Sequence, residues 1–212
     1  MPAGAPAGSN LQRKQAIFMG KGNFFAMISR MQYIDRWALM RNTRQENLSE
    51  HSLMAAVIAH ALCVIGNRRL HKNLDGNRAA VLALYHDAEE ILTGDLPTPV
   101  KYYNPAIRQA YQQVEQVAGK KLLSMLPEDL RPDYEAIFFP PQEDGYLLRL
   151  VKAADKICAL IKCVEEEKAS NSEFSKAKVS TEKAIRAYQL PEADIFLDEF
   201  MAGFYLTLDE LD

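Results

Sequence analysis

A histidine and an aspartate are adjacent at positions 86 and 87, inside the run AAVLALYHDAEEIL. Most of this run has the apolar pattern of a buried helix. Neighbouring side chains on a helix diverge by about 100°, so His86 and Asp87 cannot pack against each other, although both can reach one ion at the helix edge. An ionised aspartate among apolar side chains is costly unless it is paired, and a metal ion is a partner that offsets this cost. The pair therefore indicates a metal site.

Two more polar side chains fall on apolar helix faces and complete a candidate set of ligands. His51 lies near Leu48 on such a face, and Asp155 lies one turn from Val151. Taken alone, His51 is typical of a hydrogen-bonded core histidine, and Asp155 of one half of a salt bridge. That interpretation requires a separate partner for each polar group, whereas one divalent ion satisfies all four groups at once. We therefore predict that the four side chains share a metal ion.

The other two histidines are predicted to lie outside this site. His60 follows His51 by nine residues, which places it about 180° around the same helix. His71 lies in the polar segment RRLHKNLDGN and is typical of a solvated surface residue.

Glu90 follows His86 by one helical turn and should project toward the same pocket. It is the first candidate for a proton-transfer residue, and Glu89 is the alternative. For both residues, the competing interpretation is a solvated acidic helix end.

Helical periodicity recurs along the chain and alternation with a period of two is almost absent, so the predicted fold is all-α with a single domain. Capping-box spacing begins the second helix at Asn47, and Asn77 is the predicted cap of the third. No helix should pass through the proline-containing segment DLPTPVKYYNP. The predicted helices cover 23–34, 53–65 (ended by Gly66 and Asn67), 77–94, 106–126, 144–168, 173–189 and 192–206, with an irregular connection at 35–46 and a loop at 127–142.

Composition narrows the class of protein. The 212 residues include 25 Lys and Arg against 28 Asp and Glu, a formal charge of -3. This balance argues against a broad nucleic-acid-binding surface, but it allows a small phosphorylated ligand. No apolar run approaches the ~18 residues of a membrane span, and His60 interrupts the longest one. The expected partner is a small molecule, with neither nucleic acid nor membrane.

The N-terminal segment MPAGAPAGSN lacks the basic and hydrophobic parts of a signal peptide. We predict a disordered extension over residues 1–18, with Met19 as an alternative start, and one domain over 19–212. Cys63 and Cys158 fall in apolar helical stretches as core residues without a CxxC motif, which favours a reducing cytoplasm.

The spaced pattern H…HD…D resembles that of the HD-domain phosphohydrolases, which are helical bundles. The segments RWALMRN, SEHS, HDAEE, TGDLPTPVKY and KAADKICALIKCVEE together resemble the bacterial 5'-deoxynucleotidases of the YfbR type, from about Gly22 to the C-terminus. The stretch TGDLPTPVKY distinguishes the YfbR type from other HD enzymes, because those enzymes generally share only the pattern of metal ligands. The resemblance implies hydrolysis of 2'-deoxynucleoside 5'-monophosphates and one divalent ion held by His51, His86, Asp87 and Asp155.

Two nitrogen and two oxygen donors do not identify the metal. The resemblance favours cobalt or manganese, while zinc, nickel and iron also fit this donor set. A bound ion would lower the pKa of a water molecule and polarise a phosphate oxygen.

The resemblance also implies roles for residues outside the ligand set. Glu90 and Asp95 are the acid/base candidates, with Asp95 able to protonate the leaving 5' oxygen. Arg36 would bind the phosphate, and Trp37 would offer a π-surface to the base or sugar. Without the resemblance, Arg36 is typical of an exposed charge and Trp37 of a core anchor. Arg41 and Arg44 are secondary candidates for phosphate binding, with surface charges as the competing interpretation. The remaining substrate contacts are expected from His51, Asp87, Asp155, Leu96, Pro97 and Thr98, the last three as a wall against the deoxyribose.

Two other functions remain open at this stage. One is a different HD chemistry, either phosphodiester hydrolysis or triphosphate removal from a deoxynucleoside triphosphate. The other is a non-catalytic module that binds a nucleotide. The resemblance further implies a homodimer, for which IFLDEFMAGFY offers apolar surface unless it belongs to the core.

Overall fold

The computed structural model describes residues 22–97, 100 and 103–211, so the predicted extension at 1–18, Met19 and Thr98 lie outside the described residues. The all-α prediction is confirmed, since the described ranges contain helices and no strand. The α-helices are α1 (Phe24–Ile28), α2 (Leu48–Arg69), α3 (Gly76–Tyr85), α4 (Glu90–Thr93), α5 (Pro105–Leu123), α6 (Arg131–Phe138), α7 (Gly145–Lys168), α8 (Ser175–Ala187) and α9 (Pro191–Phe200). Short 3-10 segments cover Ser29–Tyr33, Gln142–Asp144, Ser172–Phe174, Met201–Tyr205 and Leu208–Glu210.

Helices α2, α3 and α7 form the centre of the bundle. Alanines on their facing sides, among them Ala59, Ala83 and Ala154, are fully buried and let the helix backbones approach closely. Leu62 and Ile157 fill the remaining space between these helices and are also fully buried. Dense packing of this kind fixes the positions of the polar side chains that the same helices carry.

Helices α8 and α9 close the bundle on one side. Phe196, Leu197 and Met201 are buried in the main core. Three residues of the segment IFLDEFMAGFY thus belong to the core, whereas Phe200 and Tyr205 are exposed, so the segment supplies part of the core and part of the surface. A smaller aromatic cluster, centred on Phe24 and Phe138, joins α1, α5 and α6.

The start of α2 agrees with the predicted cap, whereas its predicted end is wrong. The Asn47 side chain accepts hydrogen bonds from the backbone N–H groups of Ser49 and Glu50. The helix passes through Gly66 and Asn67 and ends at Arg69. Gly66 serves packing instead, because a Cβ atom there would lie 2.8 Å from Leu74.

The single helix predicted over 77–94 is interrupted, and its predicted cap is wrong. Asp75, which accepts a hydrogen bond from Arg78 N–H, caps α3 in place of Asn77. The helix ends at Tyr85, and a turn over residues 86–89 precedes α4. In this turn the backbone hydrogen bonds join residues three apart, as in a 3-10 helix. Glu90 N–H, for example, donates to the Asp87 carbonyl at 3.0 Å.

Segment 127–142 contains helix α6, although a loop was predicted there. Pro132 lies in the first turn of α6, where a missing backbone N–H costs no helical hydrogen bond. The number of prolines in this segment was therefore not a reliable indication of a loop.

Helix α2 is long and apolar enough to cross a membrane, judged by length and composition alone. The expectation that no segment reaches this threshold was wrong for α2. More than half of the apolar stretch is buried inside the bundle, as in the core helix of a globular domain.

Candidate metal centre

The irregular segment 34–47 carries Arg36 and Trp37 and is pinned at both ends. Near its base, Arg36 N–H donates to the Glu46 carbonyl at 3.0 Å, and Leu48 N–H donates to the Ile34 carbonyl at 2.9 Å. At its far end, the Glu166 carboxylate on α7 accepts a hydrogen bond from Thr43 N–H at 2.9 Å. The connection of uncertain structure is thus an ordered loop, hereafter the 34–47 loop.

The four predicted ligands come together beside this loop. His51 lies in the first turn of α2, His86 and Asp87 lie in the turn after α3, and Asp155 lies in the middle of α7. One potential ligand atom from each side chain lies within 4.8 Å of the corresponding atoms of the other three. Helices that are distant in sequence therefore place two imidazoles and two carboxylates around one point.

The geometry of the histidines fits a shared cation. His51 Nε2 lies 3.2 Å from Asp155 Oδ1, and His86 Nε2 lies 3.1 Å from Asp87 Oδ2. The expectation that His86 and Asp87 cannot contact each other was wrong, because a turn replaces the continuous helix on which it rested. Both Nε2 atoms are buried and make no hydrogen bond to any residue in the described ranges. The other ring nitrogen of His86, Nδ1, is 2.7 Å from the Ala83 carbonyl and donates to it when protonated, which leaves Nε2 as the lone-pair donor.

Charge at this centre is concentrated. Burial opposes ionisation of Asp87 and Asp155, yet the adjacent imidazoles hold the pKa of Asp87 at about 2 and lower that of Asp155. Burial likewise opposes protonation of His86, but the charge of Asp87 outweighs it and raises the pKa of His86 to about 9. Both carboxylates are therefore ionised, whereas His86 is protonated at neutral pH when no metal is bound. A divalent ion would displace the proton from Nε2 on binding, and the resulting donor set suits such an ion.

Arg36 is part of this centre and is not the exposed charge that its sequence context suggested. Its side chain is only 11 % exposed, with Nη1 3.4 Å from Asp87 Oδ2 and Nη2 3.9 Å from Asp155 Oδ1. Burial disfavours its charge, but these carboxylates raise the pKa of the guanidinium. A permanent cation therefore borders the candidate ligands directly.

Trp37 adopts an unusual backbone conformation next to Arg36. Its φ of 59° lies in the left-handed region, which is costly for a large side chain. Its indole N–H donates to Glu46 Oε2 at 3.0 Å, and its ring lies 5.3 Å from that of Phe174. These contacts hold the ring in place against the backbone strain.

Glu46 is a site residue that the sequence analysis missed. Its Oε1 lies 3.7 Å from His51 Nδ1, and its Oε2 lies 3.7 Å from Arg36 Nε. Burial opposes ionisation of Glu46, but His51 and Arg36 lower its pKa. Its position in an irregular polar segment offered no periodicity to single it out.

One cavity borders three of the candidate ligands, and a second borders Arg36. The larger has a volume of about 1130 Å³, and Lys156 lies on the walls of both. The smaller has a volume of about 640 Å³ and contains Arg36, Trp37, Asp95 and Pro97 in its wall, together with several small apolar residues. The metal-centre residues His86, Asp87 and Asp155 open onto the larger cavity, as do Glu89 and Glu90.

The two acid/base candidates lie in different cavities. Glu90 is 5 % exposed and shares the larger cavity with His86, as the one-turn spacing predicted. Asp95 lines the smaller cavity and follows Gly94, whose φ of 73° turns the chain at the end of α4. Burial raises the pKa of the alternative candidate, Glu89, to about 7.

The remaining predicted residues are distributed around the site. Pro97 lines the smaller cavity beside Arg36, and its neighbour Leu96 is partly buried. His60 and His71 are exposed, outside the ligand cluster, as predicted. Arg41 is exposed, and the side chain of Arg44 is 72 % exposed and pairs with Glu50.

Comparison with known proteins places the chain in a family. A family model described as 5'-deoxynucleotidase YfbR-like matches residues 23–204. A protein from Photorhabdus temperata named 5'-deoxynucleotidase yfbR is 50% identical over 189 residues, which cover 89% of this chain and 96% of that protein. A 5'-deoxynucleotidase from Yersinia pestis (strain Pestoides F) is 49% identical with the same coverage.

Solved structures show the same fold. An HD-domain phosphohydrolase from Listeria innocua aligns with a TM-score of 0.73 at 22% identity, covering 86% of this chain and 88% of that chain. The HD phosphohydrolase DatZ of cyanophage S-2L, bound to dA and one catalytic Zn²⁺ ion, aligns with a TM-score of 0.60 at 19% identity, covering 84% of this chain and 96% of that chain. The bundle is thus the HD-domain fold.

Proposed function

The chain belongs to the YfbR-like family of 5'-deoxynucleotidases, and we propose that it hydrolyses 2'-deoxynucleoside 5'-monophosphates to the deoxynucleoside and phosphate with one divalent metal ion. One observation carries the proposal: four metal-ligand side chains converge beside a buried arginine, in a chain about half identical to proteins named for this activity.

We assign the metal to His51, His86, Asp87 and Asp155. Their buried, unpartnered Nε2 atoms and ionised carboxylates support this assignment within the described residues. When bound, a divalent ion supplies Lewis-acid chemistry, activating water and polarising the phosphate. Cobalt or manganese is the proposed physiological metal. Zinc remains a direct comparison because the cyanophage HD phosphohydrolase holds Zn²⁺, and nickel and iron also suit these donors.

Arg36 is the proposed phosphate ligand. A divalent ion with two carboxylates is nearly neutral, so attraction of a phosphate dianion requires another cation. The guanidinium already lies 3.4 Å from Asp87, a metal ligand, and its planar fork can donate two hydrogen bonds to phosphate oxygens. Lys156, 3.5 Å from Asp155 Oδ2, lines both cavities and adds positive charge.

The two cavities support opposite roles for Glu90 and Asp95. Hydrolysis of a phosphate ester proceeds with the attacking and leaving oxygens roughly in line. If the nucleoside occupies the smaller cavity, Asp95 is on the side of the leaving 5' oxygen and can donate a proton to it. Glu90, in the larger cavity, is then on the side of the attacking water and can accept its proton.

The smaller cavity is suited to the nucleoside. Trp37 presents an aromatic surface that tolerates different bases. Pro97 offers a rigid apolar wall for the deoxyribose, to which Leu96 and Thr98 are proposed to contribute. A wall without a hydrogen-bond partner for a 2'-hydroxyl would disfavour ribonucleotides.

Assays of released inorganic phosphate, inorganic triphosphate and p-nitrophenol together test the proposal. The purified protein is incubated with dAMP, AMP, dATP or bis-p-nitrophenyl phosphate, each with Co²⁺, Mn²⁺ or Zn²⁺. We expect phosphate release from dAMP well above that from AMP. Triphosphate release from dATP or cleavage of the diester as the main reaction would favour another HD chemistry. Binding of dAMP without any phosphate release would favour a non-catalytic module.

We further propose that the protein is a cytoplasmic homodimer that binds neither nucleic acid nor membrane. The net charge of -3 supports the absence of nucleic-acid binding. On α2, no charged residue lies between Glu50 and Arg68, and Leu53, Val57 and Val64 are 61%, 54% and 43% exposed. Exposed apolar faces of this kind mark interaction surfaces, and two copies of an uncharged helix face can pair without burying a charge.

A further inference from the structure

Glu46 contacts both halves of the site with one carboxylate. Its Oε1 faces Nδ1 of His51, a proposed metal ligand, at 3.7 Å. Its Oε2 accepts the Trp37 indole N–H at 3.0 Å and lies 3.7 Å from Arg36 Nε. The side chain is 18 % exposed and thus largely shielded from competing water.

The first contact bears on the orientation of His51. Nδ1 of His51 is buried and makes no hydrogen bond to any of the described residues. The Glu46 carboxylate is positioned to accept a hydrogen bond from a protonated Nδ1. A normal hydrogen bond of about 2.9 Å requires a movement of under about 1 Å from the present separation. With its proton on Nδ1, the imidazole presents the Nε2 lone pair to a metal, and a carboxylate partner raises its basicity.

The second contact bears on the nucleotide-binding residues. Trp37 has φ 59°, a conformation that persists only where its surroundings enforce it. The hydrogen bond to Glu46 supplies such a restraint, and the nearby charge of Arg36 balances the carboxylate. An element that enforces the Trp37 conformation also fixes the wall of the smaller cavity.

Anchoring of the 34–47 loop does not by itself account for Glu46. The far end of that loop is already held by Glu166, which accepts hydrogen bonds from Thr43 and Asn171. The base is held by backbone hydrogen bonds between Arg36 and Glu46 and between Leu48 and Ile34. The Glu46 side chain instead points at functional atoms of three site residues.

We infer that Glu46 is a positioning residue that links the metal ligand His51 to the nucleotide-binding residues Arg36 and Trp37, so that metal and nucleotide each strengthen binding of the other. This inference rests on the metal and substrate assignments proposed above. Thermodynamic linkage requires the effect to be equal in both directions.

The test compares Glu46→Gln with wild-type protein and with Glu50→Gln as a matched control. Glu50 is another glutamate beside the start of α2, and its side chain is 48 % exposed. Dissociation constants of Zn²⁺ are measured by competition with a chelator. Binding of the 5'-methylene phosphonate analogue of dAMP, which cannot be hydrolysed at that position, is then measured with and without saturating Zn²⁺.

We expect Zn²⁺ to bind Glu46→Gln about 10–100-fold more weakly, the range typical for loss of a carboxylate partner of a metal-binding histidine. In wild-type protein the metal should tighten analogue binding by at least about fivefold. In Glu46→Gln at saturating metal this enhancement should be at least about twofold smaller than in wild type, and what remains is the part that comes from direct attraction between metal and phosphate. Glu50→Gln should behave as wild type in both titrations.

Trp37 gives a second readout because it is the only tryptophan in the chain. Zn²⁺ has a filled d shell and does not act as a redox quencher, so an emission change on metal addition reports the surroundings of the indole. This change should be present in wild type and in Glu50→Gln, and should be lost in metal-saturated Glu46→Gln.

The outcomes separate this inference from the proposed function. Wild-type protein that binds no divalent metal overturns the metal assignment and with it the inference. Wild type that binds metal and hydrolyses dAMP, with Glu46→Gln matching it in metal affinity and in coupling, overturns the inference alone. If circular dichroism shows that Glu46→Gln is unfolded, Glu46→Asp, which keeps the charge but loses reach, is measured in the same way. Metal affinity and coupling of Glu46→Asp equal to wild type would overturn the inference.

Discussion

Nε2 of His51 lies 3.2 Å from Oδ1 of Asp155, although one residue lies in the first turn of α2 and the other lies in the middle of α7. Each is flanked by fully buried alanines, Ala55 one turn from His51 and Ala154 beside Asp155. The packing of two core helices therefore determines the separation of two candidate metal ligands. The candidate metal centre therefore takes His51 and Asp155 from core helices, and His86 and Asp87 from the turn that follows α3.

The first prediction concerns Asp155→Asn, which keeps the shape but removes the charge. We expect metal affinity to fall by more than about 100-fold. Loss of a residue that only hydrogen-bonds to a metal ligand already weakens metal binding by about 10–100-fold, and loss of a ligand should weaken it further. Hydrolysis of dAMP should fall with it. Metal content after dialysis and phosphate release are the measurements, and Asp209→Asn, at an exposed position, is the control. Full activity of Asp155→Asn at normal metal content would contradict the ligand assignment.

Glu90→Gln should separate chemistry from metal binding. If Glu90 accepts the proton of the attacking water, its loss should lower kcat by about 10²–10⁴-fold, with metal content unchanged. Glu89→Gln is the comparison, because both residues line the larger cavity. Single-turnover rates with metal-saturated protein provide the measurement. A larger loss for Glu89→Gln than for Glu90→Gln would transfer the role to Glu89.

Arg36→Lys retains the positive charge but removes the planar fork. A lysine can supply only a point charge to the phosphate, so we expect KM for dAMP to rise about tenfold or more, in line with the ~1.5–3 kcal/mol of a hydrogen bond to a charged group. Thermal stability should stay near that of wild type, since the positive charge near Asp87 and Asp155 is preserved, and its measurement is the control. A variant with unchanged kinetics and lowered stability would make Arg36 a structural residue only.

Val57→Glu tests the proposed dimer. Val57 is 54% exposed on the uncharged face of α2, and a homodimer through this face would bring the two new charges close together. We expect a shift from dimer to monomer in light scattering coupled to size-exclusion chromatography. Val179→Glu, at a similarly exposed position on α8, should leave the mass unchanged. Wild-type protein that is monomeric at high concentration would contradict the dimer itself.

The parts of the site that sequence could predict are those with a strong chemical contrast to their surroundings. His86 and Asp155 are polar groups on apolar helical faces, so both periodicity and burial cost singled them out. Glu90 followed from the one-turn spacing. The structure brings these residues together as that reasoning required.

Other features depend on tertiary contacts that leave no local pattern. Glu46 lies in an irregular segment, and its role is visible only through atoms of Arg36, Trp37 and His51. The turn at 86–89 lies where helix propensity favours a continuous helix. The sequence did not predict it, because the change in backbone hydrogen bonding there leaves no local pattern of side chains. Glu90 was expected in the pocket of His86, whereas the sequence assigned Asp95 to no particular pocket, and only the fold reveals that Asp95 lines the other cavity.

The last prediction concerns Glu166, which holds the far end of the 34–47 loop. Its side chain is 1% exposed and forms an ion pair with Lys162 at 2.5 Å, while Lys162 also donates to the Arg44 carbonyl. Burial opposes ionisation of Glu166, but hydrogen bonds donated by Lys162, Asn171 and Thr43 lower its pKa to about 2. Glu166→Gln leaves the Lys162 charge buried without its counter-ion, so we expect a loss of about 3–5 kcal/mol in the free energy of unfolding at pH 7.

That loss should depend on pH in a defined direction. Because the pKa of Glu166 is lower in the folded protein than its ordinary value of 4.5, its stabilisation is complete above pH 4.5 and declines as pH falls toward about 2. The difference between wild type and Glu166→Gln in urea unfolding should therefore shrink between about pH 4.5 and pH 2, a window set by that shift. Glu167→Gln, at the neighbouring position where the side chain is 47% exposed, should show no comparable loss. A Glu166→Gln difference that stays constant across this window would mean that the charge of Glu166 does not anchor the loop, and that the neutral hydrogen bonds to Thr43 and Asn171 suffice.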